Sequence, residues 1–189
     1  MQFHINGFQA GNPEIFEAAL GFEGIQGNLP EKLDVLIIGS GPAGLTLAAQ
    51  LSSYPEISTR IIEKKEESMK LGQADGVSCR SMEMFNAFGF AEQVLKEGYW
   101  VNETNFWKAD TKNPNNITRN ARVQDVADGL SEMPHIVLNQ ARVHDMYLDF
   151  MKNSPTKLEV DYGCELINLE IDNTKSKYPC KVTIKQNNE

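Results

Sequence analysis

An α/β fold that opens with a strand, a helix and a second parallel strand, and ends in antiparallel strands, is predicted by three observations. Leu33 to Ile38 is a short apolar run that leads into a glycine-rich turn, GSGPAG. Apolar residues at helical spacing follow from Pro42 to Ser53, and a β-rich run, STRIIE, returns over 58–63. Near the C-terminal end, LEVDY, ELINLEID and CKVTIK read as three short strands.

Residues 1–32 are rich in Gly, Asn, Pro and Glu and carry no sustained period, so they read as an N-terminal arm. The run 33–38 lacks polar alternation, the pattern of a strand covered on both faces. Leu45, Ala48, Ala49 and Ser52 then share one face of a helix. Strand, helix and strand within about thirty residues make a βαβ unit. A polar stretch, KKEESMKLGQADG, separates it from SCRSMEMFNAFGFAEQVLK, which reads as two helices broken near Gly89. Residues 101–138 are mixed, with an aromatic patch VNETNFW, a loop around Asn113 to Asn116, and ARVQDV and HIVL as short strands. From Asn139, the positions of Val143, Met146, Tyr147, Phe150 and Met151 predict an amphipathic helix that stops before Pro155.

Composition narrows the function classes. A chain of 189 residues with 41% hydrophobic and 23% charged residues has globular composition, on the scale of one domain. Eighteen basic against twenty-six acidic residues give a net charge of −8, which opposes binding to nucleic acid or an anionic membrane surface. The start has no basic stretch followed by an apolar one, and no apolar run reaches membrane length, so a soluble, intracellular (cytoplasmic) protein is expected. Cys79, Cys164 and Cys180 are odd in number and widely spaced, which suits neither a disulfide framework nor a zinc site. Buried free thiols, and no metal site, are expected.

The turn places Gly39, Gly41 and Gly44 in the G-x-G-x-x-G pattern. The first glycine permits a tight turn, the second clears the approach of a pyrophosphate to the backbone, and the third lets helix and strand pack closely. The free N–H groups and positive end of the helix then face the anion. Glu63 closes the next strand, roughly twenty residues on, where a carboxylate accepts hydrogen bonds from ribose hydroxyls and repels a 2′-phosphate. The residues thus predict a Rossmann-like site for NAD or FAD and disfavour NADP there.

GSGPAGL, Glu63, LGQADGVSCRSMEMF and HIVLNQARVHD occur in this order, and together the chain resembles the single-component FAD-dependent aromatic hydroxylases, of the phenol hydroxylase and 3-hydroxybenzoate 4-hydroxylase kind. The likeness extends to the HINGF and GNPEI phrases of the arm. It implies a noncovalent FAD, with NADPH as a transient reductant, and a reduced flavin that captures O₂ as a hydroperoxide and hydroxylates a small phenolic substrate. Homodimers are implied for the full-length members. Carried onto this sequence, Gly39, Gly41, Pro42, Ala43 and Gly44 would hold the pyrophosphate and Glu63 the ribose. Gln73 would lie against the flavin, Gln140 would contact the cofactor, and Arg80 and Arg142 would pair with the diphosphate; a solvated helix position is the plainer reading of Arg142.

Asp75, in QADG, matches the residue beside the substrate hydroxyl. Phenol titrates about 6 pKa units above an ordinary Asp, so full proton transfer lies about 8 kcal/mol uphill. Acceptance of a hydrogen bond, aided by burial, is the expected role, with a turn aspartate before Gly76 as the alternative. His135 would pair with a substrate carboxylate or else serve structure, as expected of His4 and His144. Trp100, Phe106 and Trp107 would line a pocket or fill the core. Against that family, the sequence stops before a downstream Asp-Gly motif, the rest of the substrate domain and a thioredoxin-like C-terminal domain. The expectation is therefore the N-terminal portion of an FAD-binding domain over 33–189, with about 90–138 on the substrate side and the parallel sheet incomplete. A noncatalytic nucleotide-binding remnant or an unstable fragment is the competing expectation.

Overall fold

The computed structural model describes residues 15–24, 26–172, 174 and 177–186. HINGF, His4 and most of GNPEI lie outside the described residues. In chain order the elements are β1 (Val35–Ile38), α1 (Pro42–Leu51), β2 (Thr59–Glu63), β3 (Gly76–Val77), α2 (Cys79–Ala87), α3 (Ala91–Glu97), β4 (Tyr99–Val101), β5 (Glu103–Ala109), β6 (Ile117–Gln124), β7 (His135–Val137), α4 (Gln140–Asn153), β8 (Val160–Tyr162), β9 (Cys164–Ile171) and β10 (Cys180–Gln186). The chain divides into two compact units, one ending at Lys70 and resuming at His144, the other running from Leu71 to Val143.

In the first unit β1, β2 and β8 form a parallel sheet in the order β1-β2-β8, with Val35 opposite Thr59 and Ile61 opposite Val160. The βαβ connection is made by α1, which buries Leu45, Ala48 and Ala49. Central strand β2 buries Ile61 and Ile62 completely, but β1 lies at the sheet edge and leaves Ile38 48% exposed. Full cover of β1, expected from its apolar run, is thus not met among the described residues. Tyr147 of α4 is buried, and its hydroxyl lies 2.7 Å from Thr46 Oγ1 on α1. β9 and β10 form an antiparallel hairpin with a register shift at Thr183/Ile184. Cys180, on this outer strand, is exposed, whereas Cys79 and Cys164 are buried; all three are free, so the expectation of buried thiols fails at Cys180.

The described part of the arm is hydrogen-bonded along this unit. Phe16 and Ala19 donate their amides to the carbonyls of Asn153 and Pro155. Arg60, 8% exposed, makes a two-pronged pair with Asp161, with Nε 2.9 Å from Oδ2, and its NH groups also reach the carbonyls of Gly27 and Asn28. One guanidinium thereby ties the arm to β2 and β8. Arg60→Ala strands the Asp161 carboxylate and two carbonyl acceptors, and is expected to cost about 2–3 kcal/mol, read as a lower urea midpoint.

In the second unit β3, β7 and β4 form an antiparallel sheet, with Gly76 opposite Val137 and Val101 opposite His135. Met82 and Phe85 of α2, Val94 of α3 and Ile136 of β7 supply its buried apolar residues. The helices break over residues 88–90, as the sequence predicts. β5 and β6 make a long hairpin with a register shift at Phe106/Trp107. Phe106, Trp107 and Trp100 are 52%, 60% and 48% exposed, so none of them fills a core.

Candidate functional site

The site residues of the first unit gather where β1 meets α1. Gly39 adopts φ +93°, a left-handed conformation that strains any residue with a Cβ, and its amide donates to the Ile62 carbonyl at 2.8 Å. Helix α1 begins at Pro42, whose ring suits the first helical position, and no side chain caps its start at Gly41. The N–H groups of that first turn and the positive end of the helix dipole are left for an external anion. A Cβ on Gly41 would meet nothing within 4 Å, so the approach to the backbone is open there. A Cβ on Gly44 would sit 2.0 Å from the Gly39 carbonyl oxygen. The three glycines therefore do three different things, and the cradle fits a diphosphate.

Glu63 ends β2 beside this turn. Its Oε2 accepts hydrogen bonds from the Ser40 amide at 2.9 Å and the Ser40 hydroxyl at 3.1 Å, and its Oε1 accepts from the Lys65 amide at 3.1 Å. Burial pushes its pKa up, but these hydrogen bonds and the Lys65 charge outweigh that and hold it below the usual carboxylate range. An ionised acceptor next to the helix start fits ribose hydroxyls. In the same unit His144 is buried, neither ring nitrogen has a hydrogen-bond partner among the described residues, and burial lowers its pKa, which makes it a neutral ring.

The remaining site residues belong to the second unit. Asn139 caps α4, its Oδ1 accepting from the Ala141 amide at 2.8 Å. Gln140, the first helical residue, accepts the Gln73 amide on Oε1 at 2.9 Å, and Gly72 is so close that a Cβ there would lie 2.6 Å from Gln140 Cβ. The two glutamines expected separately at a cofactor are thus one contact: NQA in the sequence builds the helix start that carries the Gln73 loop. Asp75 follows, its carbonyl accepting from the Leu138 amide at 2.8 Å and its side chain exposed. The burial expected around Asp75 is not supplied by the described residues. His135, on the strand paired with the one Asp75 leads into, places Nδ1 2.8 Å from Asp125 Oδ2.

Both arginines hold carboxylates of the chain itself. Arg80 pairs with Glu83, which also accepts from the Ser131 hydroxyl. Arg142 grips Glu97 with Nε and NH2, each at 2.8 Å, and the Arg142 hydrogen bond, followed by that of Gln93, pulls the Glu97 pKa down to about 2. The expectation of a diphosphate for these two cations meets a nearer partner in each case. Because the Glu97 pKa is lowered on folding, the pair stabilises fully above about pH 4.5 and loses that contribution as pH falls toward 2. Both side chains are about a third or more exposed, so Arg142→Ala is expected to cost no more than about 1 kcal/mol at neutral pH. Urea midpoints of the two proteins should converge as pH drops from 4.5 to 2.

Sequence reasoning missed Ser40, Asp125, Asn139 and Glu97. Ser40 stood in plain view as a variable position of the glycine turn, and Asn139 as a cap residue ahead of an apolar period. Nothing in the order of residues marks Asp125 or Glu97. No cluster of three or more His, Cys, Asp or Glu suited to a metal ion, and no helix long and apolar enough to cross a membrane, occurs among the described residues.

Residues 32–184 match the family model described as FAD binding domain. The chain is 53% identical over 186 residues to 3-hydroxybenzoate 4-monooxygenase of Comamonas testosteroni, covering 98% of this chain and 29% of that protein. It is 38% identical over 152 residues to FAD-dependent monooxygenase terD of Aspergillus terreus, covering 80% of this chain and 24% of that one. Among solved structures, the flavin-dependent monooxygenase PieE in complex with FAD and substrate superposes with a TM-score of 0.62 at 21% identity, over 80% of this chain and 26% of that one. The p-nitrophenol 4-monooxygenase PnpA of Pseudomonas putida DLL-E4 gives 0.64 at 14% identity, over 80% and 38%. The structural likenesses bear on fold alone, and the chain spans less than a third of the length of these two curated relatives.

Proposed function

The chain belongs to the FAD binding domain family, and from that premise we propose that it supplies the cofactor cradle and part of the substrate face of an FAD-dependent monooxygenase for small phenols. The observation that carries the reading is the uncapped start of α1, open at Gly41 and flanked by the Glu63 carboxylate. The turn from Gly39 through Gly41, Pro42 and Ala43 to Gly44 holds the diphosphate, and Glu63 holds the ribose. Gln73, whose amide is held by Gln140, would contact the flavin. FAD, when bound, would supply the oxygen-activating chemistry, with NADPH as the reductant and O₂ as the oxidant.

The protein's own work is placement and polarisation. Asp75 accepts a hydrogen bond from the phenol hydroxyl and draws electron density into the ring without taking the proton fully. His135 meets a carboxylate on the ring, which makes a 3-hydroxybenzoate-type substrate the favoured one. Expressed protein that stays yellow after desalting, and that converts 3-hydroxybenzoate with consumption of NADPH and O₂, supports this reading. Colourless protein would overturn it, and bound flavin without turnover of any phenol would favour a nucleotide-binding remnant.

A further inference from the structure

We propose that Asp125 is a positioning residue for substrate choice: it holds the His135 ring so that Nε2 faces the sheet surface beside Gly76, where it meets an anionic substituent of the aromatic substrate. The inference rests on the reading of His135 as the carboxylate partner. A carboxylate only accepts hydrogen bonds, so the 2.8 Å contact between Asp125 Oδ2 and His135 Nδ1 requires the proton on Nδ1. Nε2 is then the nitrogen left for a ligand. It lies 3.3 Å from the point that a Cβ on Gly76 would occupy, so the missing side chain of Gly76 makes room for the ring.

The surroundings suit this task. Directly paired residues of antiparallel strands share a face, which puts Gly76, Tyr99, Val101, His135 and Val137 together on one side of the β3-β7-β4 sheet. Tyr99 and Val137 are exposed there, a surface on which an aromatic ring can lie. Among the residues of these three strands, His135 is the one side chain able to carry positive charge. To donate to a carboxylate through Nε2 while Nδ1 serves Asp125, the ring must carry a proton on each nitrogen. Asp125 is itself anchored: its amide donates to the Asn102 carbonyl at 3.1 Å, and Gln124 pins the next turn through Val126 and Asp128.

The test compares Asp125→Ala, Asp125→Asn, His135→Gln and the double variant Asp125→Ala/His135→Gln in the FAD-loaded protein, with 3-hydroxybenzoate and phenol as probes. Asp125→Ala should raise the Kd for 3-hydroxybenzoate about tenfold and leave phenol within about twofold, with Asp125→Asn between it and wild type. The double variant should be no weaker than His135→Gln alone. Nitrogen-15 spectra of the ligand-free protein, taken at a pH where the ring is neutral, should show the His135 proton on Nδ1 in the wild type and its redistribution in Asp125→Ala. Equal weakening of both probes, or an Nε2 proton on neutral wild-type His135, overturns the proposal. If His135→Gln weakens 3-hydroxybenzoate but Asp125→Ala does not, Asp125 has no such role while the reading of His135 stands. If His135→Gln leaves 3-hydroxybenzoate binding intact, the reading itself fails and the proposal with it.

Discussion

Gly44→Ala leaves the expressed protein without retained FAD and lowers its stability by about 3 kcal/mol. The added Cβ would stand 2.0 Å from the Gly39 carbonyl oxygen, 3.2 Å from the carbonyl carbon and 3.4 Å from Ile37 Cγ2. No rotamer change relieves a clash with backbone. Gly39 cannot retreat easily, because its positive φ and its hydrogen bond to Ile62 set its place against β2. Helix α1 must therefore move off β1, and overpacking of this kind costs about 1–3 kcal/mol, more where the backbone yields. The same movement spreads the amides that face the diphosphate. Gly41→Ala is the informative contrast: its Cβ meets nothing in the protein, so stability should hold within about 1 kcal/mol while flavin affinity falls. Urea denaturation and flavin absorbance after desalting read both effects. A Gly44→Ala protein that is as stable and as yellow as wild type would contradict the assignment of the cradle.

Asp75→Asn should slow hydroxylation about 10²–10⁴-fold with little change in stability or flavin content. The side chain is exposed and its known structural duty, accepting the Leu138 amide, falls to its backbone carbonyl, which asparagine keeps. A surface substitution of this kind shifts stability by about 0.5 kcal/mol or less. Asparagine preserves size but removes the charge that polarises the phenol hydroxyl, so the loss belongs in the rate and not in folding. Single-turnover conversion of 3-hydroxybenzoate, measured beside NADPH oxidation, separates slowed oxygen transfer from slowed reduction. An unchanged hydroxylation rate would reduce Asp75 to a turn residue ahead of Gly76.

The elements that were legible from the residues share a physical property: their signals are local. The βαβ start was readable because an apolar run, a glycine turn and a helical period follow one another within about thirty residues. Helix α4 was readable from the spacing of Val143, Met146, Tyr147 and Met151, all of which are buried. The β5–β6 hairpin was only half seen, because its residues are mixed in polarity and mostly exposed, so neither face writes an alternating pattern. The cover of β1 was misjudged for a related reason, since an apolar run states what a strand tolerates and not what neighbours it has.

Residue order alone determined the glycine turn, the acid at the end of the next strand and the family likeness carried by QADG and NQARVHD, because each is a short string whose chemistry depends on spacing along the chain. Only the tertiary structure decided which charges are already spoken for. It paired Arg142 with Glu97, Arg60 with Asp161 and His135 with Asp125, residues separated by loops and whole elements. A side chain's partner is set by distance in space, and close approach between remote residues exists only after the backbone has folded.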